Sequence, residues 1–167
     1  KTQPVYGMHN RSGYRYATRF TEGFLHRGSD GSDERFIDLR PGDIFFGLDL
    51  QHDVVLRNRK YYATLRNLGV KVYFLVHDLL PIQFPNYFNV GAREGHHYWL
   101  SVISQSDGIV CVSRTVAGQY IEWLFTNDVS RHRPLRIGWS HNGADVAAPP
   151  AQQTSSQVSR TILVALA

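Results

Sequence analysis

Three polar clusters each follow a short apolar run in this chain of 167 residues. His77 and Asp78 come directly after Val72-Tyr73-Phe74-Leu75-Val76, Ser113 and Arg114 after Ile109-Val110-Cys111-Val112, and His141, Asn142 and Gly143 shortly after Ile137-Gly138-Trp139. Asp49 stands in the same relation to residues 45–48. A histidine at the end of a buried strand can donate to a phosphate or sugar oxygen, and an adjacent aspartate can orient it. The plainer alternative is that Asp78 caps a turn at Pro81 while His77 is half-buried. Ser113 precedes a helical pattern, where free backbone N–H groups favour anions, although a serine there also serves as an ordinary N-cap. Asn142-Gly143 suits a turn with positive φ, or a backbone loop facing a cleft.

Other reactive residue types carry less. Cys111 lies inside an apolar run with no basic neighbour in sequence, so it reads as inert packing. His96 and His97 are adjacent and would point in different directions on a helix, and no pair of histidines has metal-ligand spacing, so no metal site is expected. Glycine-rich dinucleotide and phosphate loops, the hydrolase nucleophile elbow and zinc patterns are all absent.

The elements that would position these residues follow from periodicity. Residues 43–48, 70–77, 108–113 and 135–140 read as strands, with residues 4–8 as a fifth. Between them, Tyr16, Phe20 and Phe24 predict a helix capped by Ser12 and stopped by Gly28. Val54, Tyr61, Leu65 and Leu68 predict a second, ending at Gly69. Trp99, Val102 and Ile103 mark a third, and Val116, Tyr120, Trp123 and Leu124 a fourth. Alternating strands and helices, with strands that are continuous apolar runs, define an α/β fold: a Rossmann-like, mostly parallel sheet with helices on both faces and right-handed crossovers. Ligands of such sheets gather at the carboxyl tips of the strands, where the three polar clusters and Asp49 fall.

Composition sets the outer limits. With 43% hydrophobic and 19% charged residues the chain is a folded domain of ordinary make-up, and no apolar run reaches membrane-spanning length. A single cysteine favours a reducing compartment, so the expected location is cytoplasmic, with peripheral contact to the inner face of the cell membrane. The net charge of +4 is scattered, without the basic stripe and exposed aromatics of a nucleic-acid binder; it suits anionic headgroups or phosphorylated substrates. Residues 147–160, rich in Ala, Pro, Gln and Ser, read as a linker after a first domain at 1–146. The apolar run at 161–167 reads as the first strand of a further domain, or alternatively as an addition to the edge of the same sheet. Lys1 is no initiator methionine, and the whole reads as part of a longer protein.

Residues 72–81 (VYFLVHDLLP), 106–114 (SDGIVCVSR) and 137–146 (IGWSHNGADV), in this order, resemble the amino-terminal half of a family 4 (group 1) glycosyltransferase of the two-domain GT-B type, as found in bacterial O-antigen and polysaccharide synthesis. Residues 42–51 (GDIFFGLDLQ) are similar to a segment of the same group. The resemblance implies that this domain holds the acceptor and that a second domain holds a nucleotide-diphosphate sugar, with retaining transfer between them and neither cofactor nor obligatory metal. It implies a donor-side contact for His77 with Asp78 beside it, and substrate-binding positions at Ser113, Arg114, Asn142 and Gly143. The partners implied are the nucleotide sugar and a glycan or lipid-linked acceptor. The family's first strand and glycine-rich loop would lie before Lys1, and its paired glutamates after Ala167. The alternative function is a non-catalytic remnant acting as a binding or interaction half-domain.

Overall fold

A computed structural model describes residues 2–8, 12–17, 35–48, 50–141 and 143, together with the backbone of 162–166. Four central strands, β3 (Ile44–Gly47), β4 (Lys71–Val76), β5 (Gly108–Cys111) and β6 (Arg136–Trp139), pair in sequence order and all in parallel. They are joined by helices: α1 (His52–Arg57) and α2 (Arg59–Asn67), then the short α3 (Leu80–Gln83) and α4 (Ala92–Ile103), then α5 (Arg114–Thr126). This is the expected α/β, Rossmann-like parallel sheet flanked by helices.

The described helices form one layer. Strands that advance in one direction through right-handed crossovers put their helices on the same face. Accordingly Ser104, at the end of α4, bonds to Tyr120 of α5 (2.7 Å), and His97 of α4 stacks edge-on against Trp123 of α5. That face holds the core: Phe45, Val72, Phe74, Val76 and Ile109 from the strands, Tyr62, Leu65, Trp99, Leu100, Ile103 and Tyr120 from the helices, all buried. On the other face of β4, Tyr73 and Leu75 are half-buried. The rest of the helix expected through Phe20 and Phe24, and the linker expected at 147–160, fall outside the described residues.

On the far side of β3 the sheet continues as β7 (Ile162–Leu166), β1 (Thr2–Gly7) and the antiparallel β2 (Tyr14–Tyr16). β7 lies parallel between β1 and β3, with Ile162 opposite both Thr2 and Ile44. This differs from both expectations for residues 161–167, a new domain or the sheet's edge. An inner slot pairs the backbone of an apolar strand on both sides, which an edge does not.

Two helical expectations also change. Tyr16 lies on β2, not on a helix capped by Ser12. The alternation of Tyr14 and Tyr16 wins over the four-residue spacing to Phe20 and Phe24, which lie outside the described residues. Tyr14 is buried against Phe45, with its hydroxyl 2.6 Å from that of Tyr62. The helix expected through Val54 and Leu68 is broken at Asn58. Fully buried, Asn58 donates from Nδ2 to the Val54 carbonyl (2.9 Å) and accepts from the Gly13 amide (2.6 Å), so the break ties the helix layer to the β1–β2 turn. In the second half Tyr62 and Leu65 turn inward, and Leu68 is exposed.

Strand register is fixed at the amino edge. The Asp107 carboxylate accepts from the buried Val72 amide (3.0 Å) and from Lys71 Nζ (3.3 Å), its own amide donates to the Val72 carbonyl (2.9 Å), and its carbonyl accepts from the Arg136 amide (3.2 Å). Replacing Asp107 with Ala strands the Val72 amide, a loss of about 2 kcal/mol. Urea unfolding of the Asp107→Ala variant should register that loss, and Lys71→Ala, which removes only a solvent-screened partner, should lose less than about 1 kcal/mol.

Candidate functional site

Parallel register brings the polar clusters to one edge. Val76, Cys111 and Trp139 are direct cross-strand neighbours, so the residues that follow them leave the sheet at the same end. The ladder runs one step further, with the Val112 amide donating to Val76 (3.1 Å) and the Ser140 amide to Cys111 (2.9 Å). His77, Ser113 and His141 therefore emerge side by side along the carboxyl rim. Of the sequence-predicted residues, Asp49 and Asn142 lie outside the described ones, and Gly143 is exposed just past the rim.

Each of the others has a definite local partner. His77 is exposed, and its Nε2–H donates to the Leu48 carbonyl (3.3 Å), which ties the end of β4 to the loop after β3. Because a carbonyl can only accept, this contact places a proton on Nε2. Asp78 accepts the Leu80 amide at Oδ1 (2.9 Å), stapling the turn that opens α3. Ser113 is the N-cap of α5, with Oγ accepting from the Val116 amide (3.2 Å), and Arg114 is exposed in the first turn of that helix. The rim thus offers an exposed imidazole, a half-buried carboxylate held in place, an exposed guanidinium and a helix N-terminus. That set can bind and orient an anionic or hydroxyl-rich ligand.

Cys111 is buried, and burial pushes its thiol up to about 11, as suits packing. His97 points outward, its Nε2 bonded to Asn127 Oδ1 (2.9 Å), whereas His96 points inward. Among the described residues no group of three His, Cys, Asp or Glu side chains could hold a metal ion, and no helix is long and apolar enough to cross a membrane.

Beneath the rim lies a pair that sequence reasoning did not assemble. His52, at the first position of α1, sits 3.2 Å (Nε2) from Nδ1 of the fully buried His96, and both rings pack against Trp99. Burial is the main reason that the imidazole of His96 falls to about 4; the neighbouring His52 lowers it further, while the Asp78 carboxylate and backbone act in the opposite sense. His52 is also lowered by burial, against the raising effect of Asp53. The signal in sequence was the inward stripe of His96, Trp99 and Ile103, together with the place of His52 just after β3. Their meeting needed the tertiary contact between α1 and α4.

A Rossmann-like sheet with its polar residues gathered at the carboxyl tips is the frame of a ligand-binding or group-transfer domain. Along 160 residues, or 92% of its length, the chain is 28% identical to the serotype-specific mannosyltransferase WbdA of Escherichia coli, matching 19% of that protein. A second WbdA sequence from Escherichia coli is 29% identical over 138 residues, 81% of this chain and 17% of the relative. The chain is homologous to glycosyltransferases, and it spans about a fifth of the length of the curated relatives it matches. No family model matches it, and no solved structure does.

Neutral His96 makes stability depend on pH. Between its ordinary value of 6.5 and about 4, the unfolded chain binds the proton that the folded chain refuses, so stability is full above pH 6.5 and falls as pH drops through that window. Going from pH 7.5 to 5 should cost up to about 2 kcal/mol by urea unfolding, and His96→Gln should flatten that slope even though it lowers stability at pH 7.5. Parallel pH profiles would show that His96 is charged in the fold.

Proposed function

We propose that this chain is the acceptor-side, Rossmann-like module of a family 4, GT-B glycosyltransferase that transfers a mannosyl or similar hexosyl residue from a nucleotide-diphosphate sugar to a hydroxyl of a growing glycan. The observation that carries this reading is homology to a mannosyltransferase over nearly the whole chain, combined with a common rim for the residues that the family resemblance singles out. A deoxyhexosyl donor and a lipid-linked acceptor fit the same reading. The donor's diphosphate would be held by a second domain across the rim.

Within this proposal each residue's task follows from its local chemistry. His77, with its proton on Nε2, hydrogen-bonds a sugar or phosphate oxygen of the donor. The exchange of its bond to the Leu48 carbonyl for a bond to substrate couples the loop after β3 to occupancy. Asp78 holds the chain's direction at the end of β4 through its bond to the Leu80 amide, beside His77 in sequence. Arg114 and the amino end of α5 balance negative charge on the ligand, with Ser113 fixing that helix start. Gly143, just past the tip of β6, and Asn142 before it in sequence are assigned substrate contacts. No protein base is required of this half if the anomeric configuration is retained, and no metal or cofactor is invoked. The exposed cationic groups also suit peripheral contact with an anionic membrane surface on the cytoplasmic side.

The test is His77→Ala in the enzyme that contains this chain. Loss of a donor-sugar contact made in the transition state should lower kcat/KM for the nucleotide-diphosphate sugar by about a hundredfold, roughly 2.7 kcal/mol, with an unchanged circular dichroism spectrum. Wild-type kinetics would remove His77 from the site, and a folded enzyme with no transferase activity toward any hexosyl donor would favour a binding role alone.

A further inference from the structure

A second site lies at the opposite end of the strands. Between α2 and α4 a crevice of about 390 Å³ opens on the helix face, within the size range of small-molecule pockets. Its floor is apolar, made by Tyr62, Phe74 and Val102, the first two buried. Around that floor stand Arg59, Lys60 and Arg66 from α2 and His132 from the segment before β6, and among the described residues no carboxylate lines it. Arg66 belongs to the last turn of α2, at the amino edge of the sheet and away from His77 and Ser113, while Arg59 and Lys60 stand in its first turn, at the other end of the helix.

Arg66 shows what this crevice lacks. Its Nε is buried with no hydrogen-bond partner among the described residues. Burial chiefly, and the cation of Arg133 secondarily, disfavour its charge, and only Asp107 supports it. Asp107 is already committed to the Val72 amide and Lys71, and Arg133 donates to Asn67 Oδ1 (3.4 Å). A guanidinium stays ionised in proteins, so this Nε–H donor beside a second cation suits an anionic acceptor. Two other lining groups are occupied, Ser101 with the His97 carbonyl and Gln105 with the Ser130 carbonyl. Charge is therefore what the crevice presents to a ligand, above an apolar floor.

We infer that this crevice binds a phosphomonoester joined to an apolar group, with the phosphate on Arg66 and His132, the apolar body over Tyr62, Phe74 and Val102, and Arg59 and Lys60 adding positive charge along the same crevice. The same chemistry is found in a free prenyl-type phosphate and in the phosphatidic acid of a membrane, and the experiment separates the two. Calorimetric titration of the 167-residue chain with farnesyl phosphate should show one site, at least tenfold tighter than inorganic phosphate or farnesol, and weakened by raising the salt concentration. Arg66→Gln should raise its Kd at least tenfold. Because Arg66 also faces Asp107, the double change Arg59→Gln with Lys60→Gln, on the exposed rim, provides an independent check and should raise Kd at least threefold. Competition by phosphatidic acid vesicles in the wild type assigns the site to a membrane lipid, and absence of competition to a free phosphate ester; either result supports it. No measurable binding, equal affinity for inorganic phosphate or farnesol, or a Kd unmoved in both folded variants would overturn it.

Discussion

The placement of the rim depends on a row of bonds at the other end of the sheet. Asp43 gives its carbonyl to the Lys71 amide (2.9 Å), Asp107 exchanges bonds with Val72, and the Asp107 carbonyl takes the Arg136 amide, so β3 to β6 are locked in line where they begin. Four-residue parallel strands have few ladder bonds with which to resist slippage, and a slip of one residue would turn every side chain to the other face. A charged acceptor for a buried amide is among the stronger ways to forbid that slip. Close contacts add to it. A Cβ on Gly108 would come within 2.6 Å of the Tyr73 ring, and one on Gly47 within 2.5 Å of Phe74, so both strands approach their neighbours as only glycine permits.

Once register is fixed, the carboxyl rim does two jobs with the same side chains. Asp78 and Ser113 each accept a backbone amide, and in doing so they set the start of α3 and α5. The oxygens that shape these turns are thereby held within the rim, which is how a short sequence can give a preorganised surface without a dedicated supporting shell. His77 is bound less firmly, by one bond to a carbonyl, and is the exposed member. Below them His52 and His96 fill the space between α1 and α4 with two neutral imidazoles, so the turn carrying His77 and Asp78 rests on polar but uncharged ground.

Much of this was legible in the chain. The four central strands read correctly because Val, Ile and Phe runs end at Asp, His, Ser or Asn, and the ends differ by only one or two residues. Ser113 as a cap was legible for the same reason, since the preference is local. What could not be read depends on distant partners. Nothing near Asn58 predicts that its amide would bridge to Gly13, and without that bond the stripe from Val54 to Leu68 is a single helix. Tyr16 was assigned to a helix because a four-residue spacing is visible locally, whereas the strand partner that overrides it, β1, is not. The place of residues 162–166 was hidden too, because an apolar run declares that it needs neighbours without saying which.

The charge pattern follows the same division. Along the sequence the basic residues are dispersed, and dispersion suggests a merely solvated surface. In space, α2 carries Arg59 and Arg66 seven residues apart, two helical turns, both lining the crevice toward α4, and the loop before β6 returns His132 and Arg133 to the Arg66 end. Acidic residues are spent elsewhere: Asp43 and Asp107 at the strand starts, and Asp78 at the rim. The modest net charge of +4 therefore has local weight, because Asp107, the carboxylate that acts on Arg66, is bonded to a backbone amide that the fold requires. Moving Asp107 to pair fully with Arg66 would release the Val72 amide and loosen the register on which the opposite rim depends. The cationic crevice and the aligned rim are thus two consequences of one commitment by Asp107.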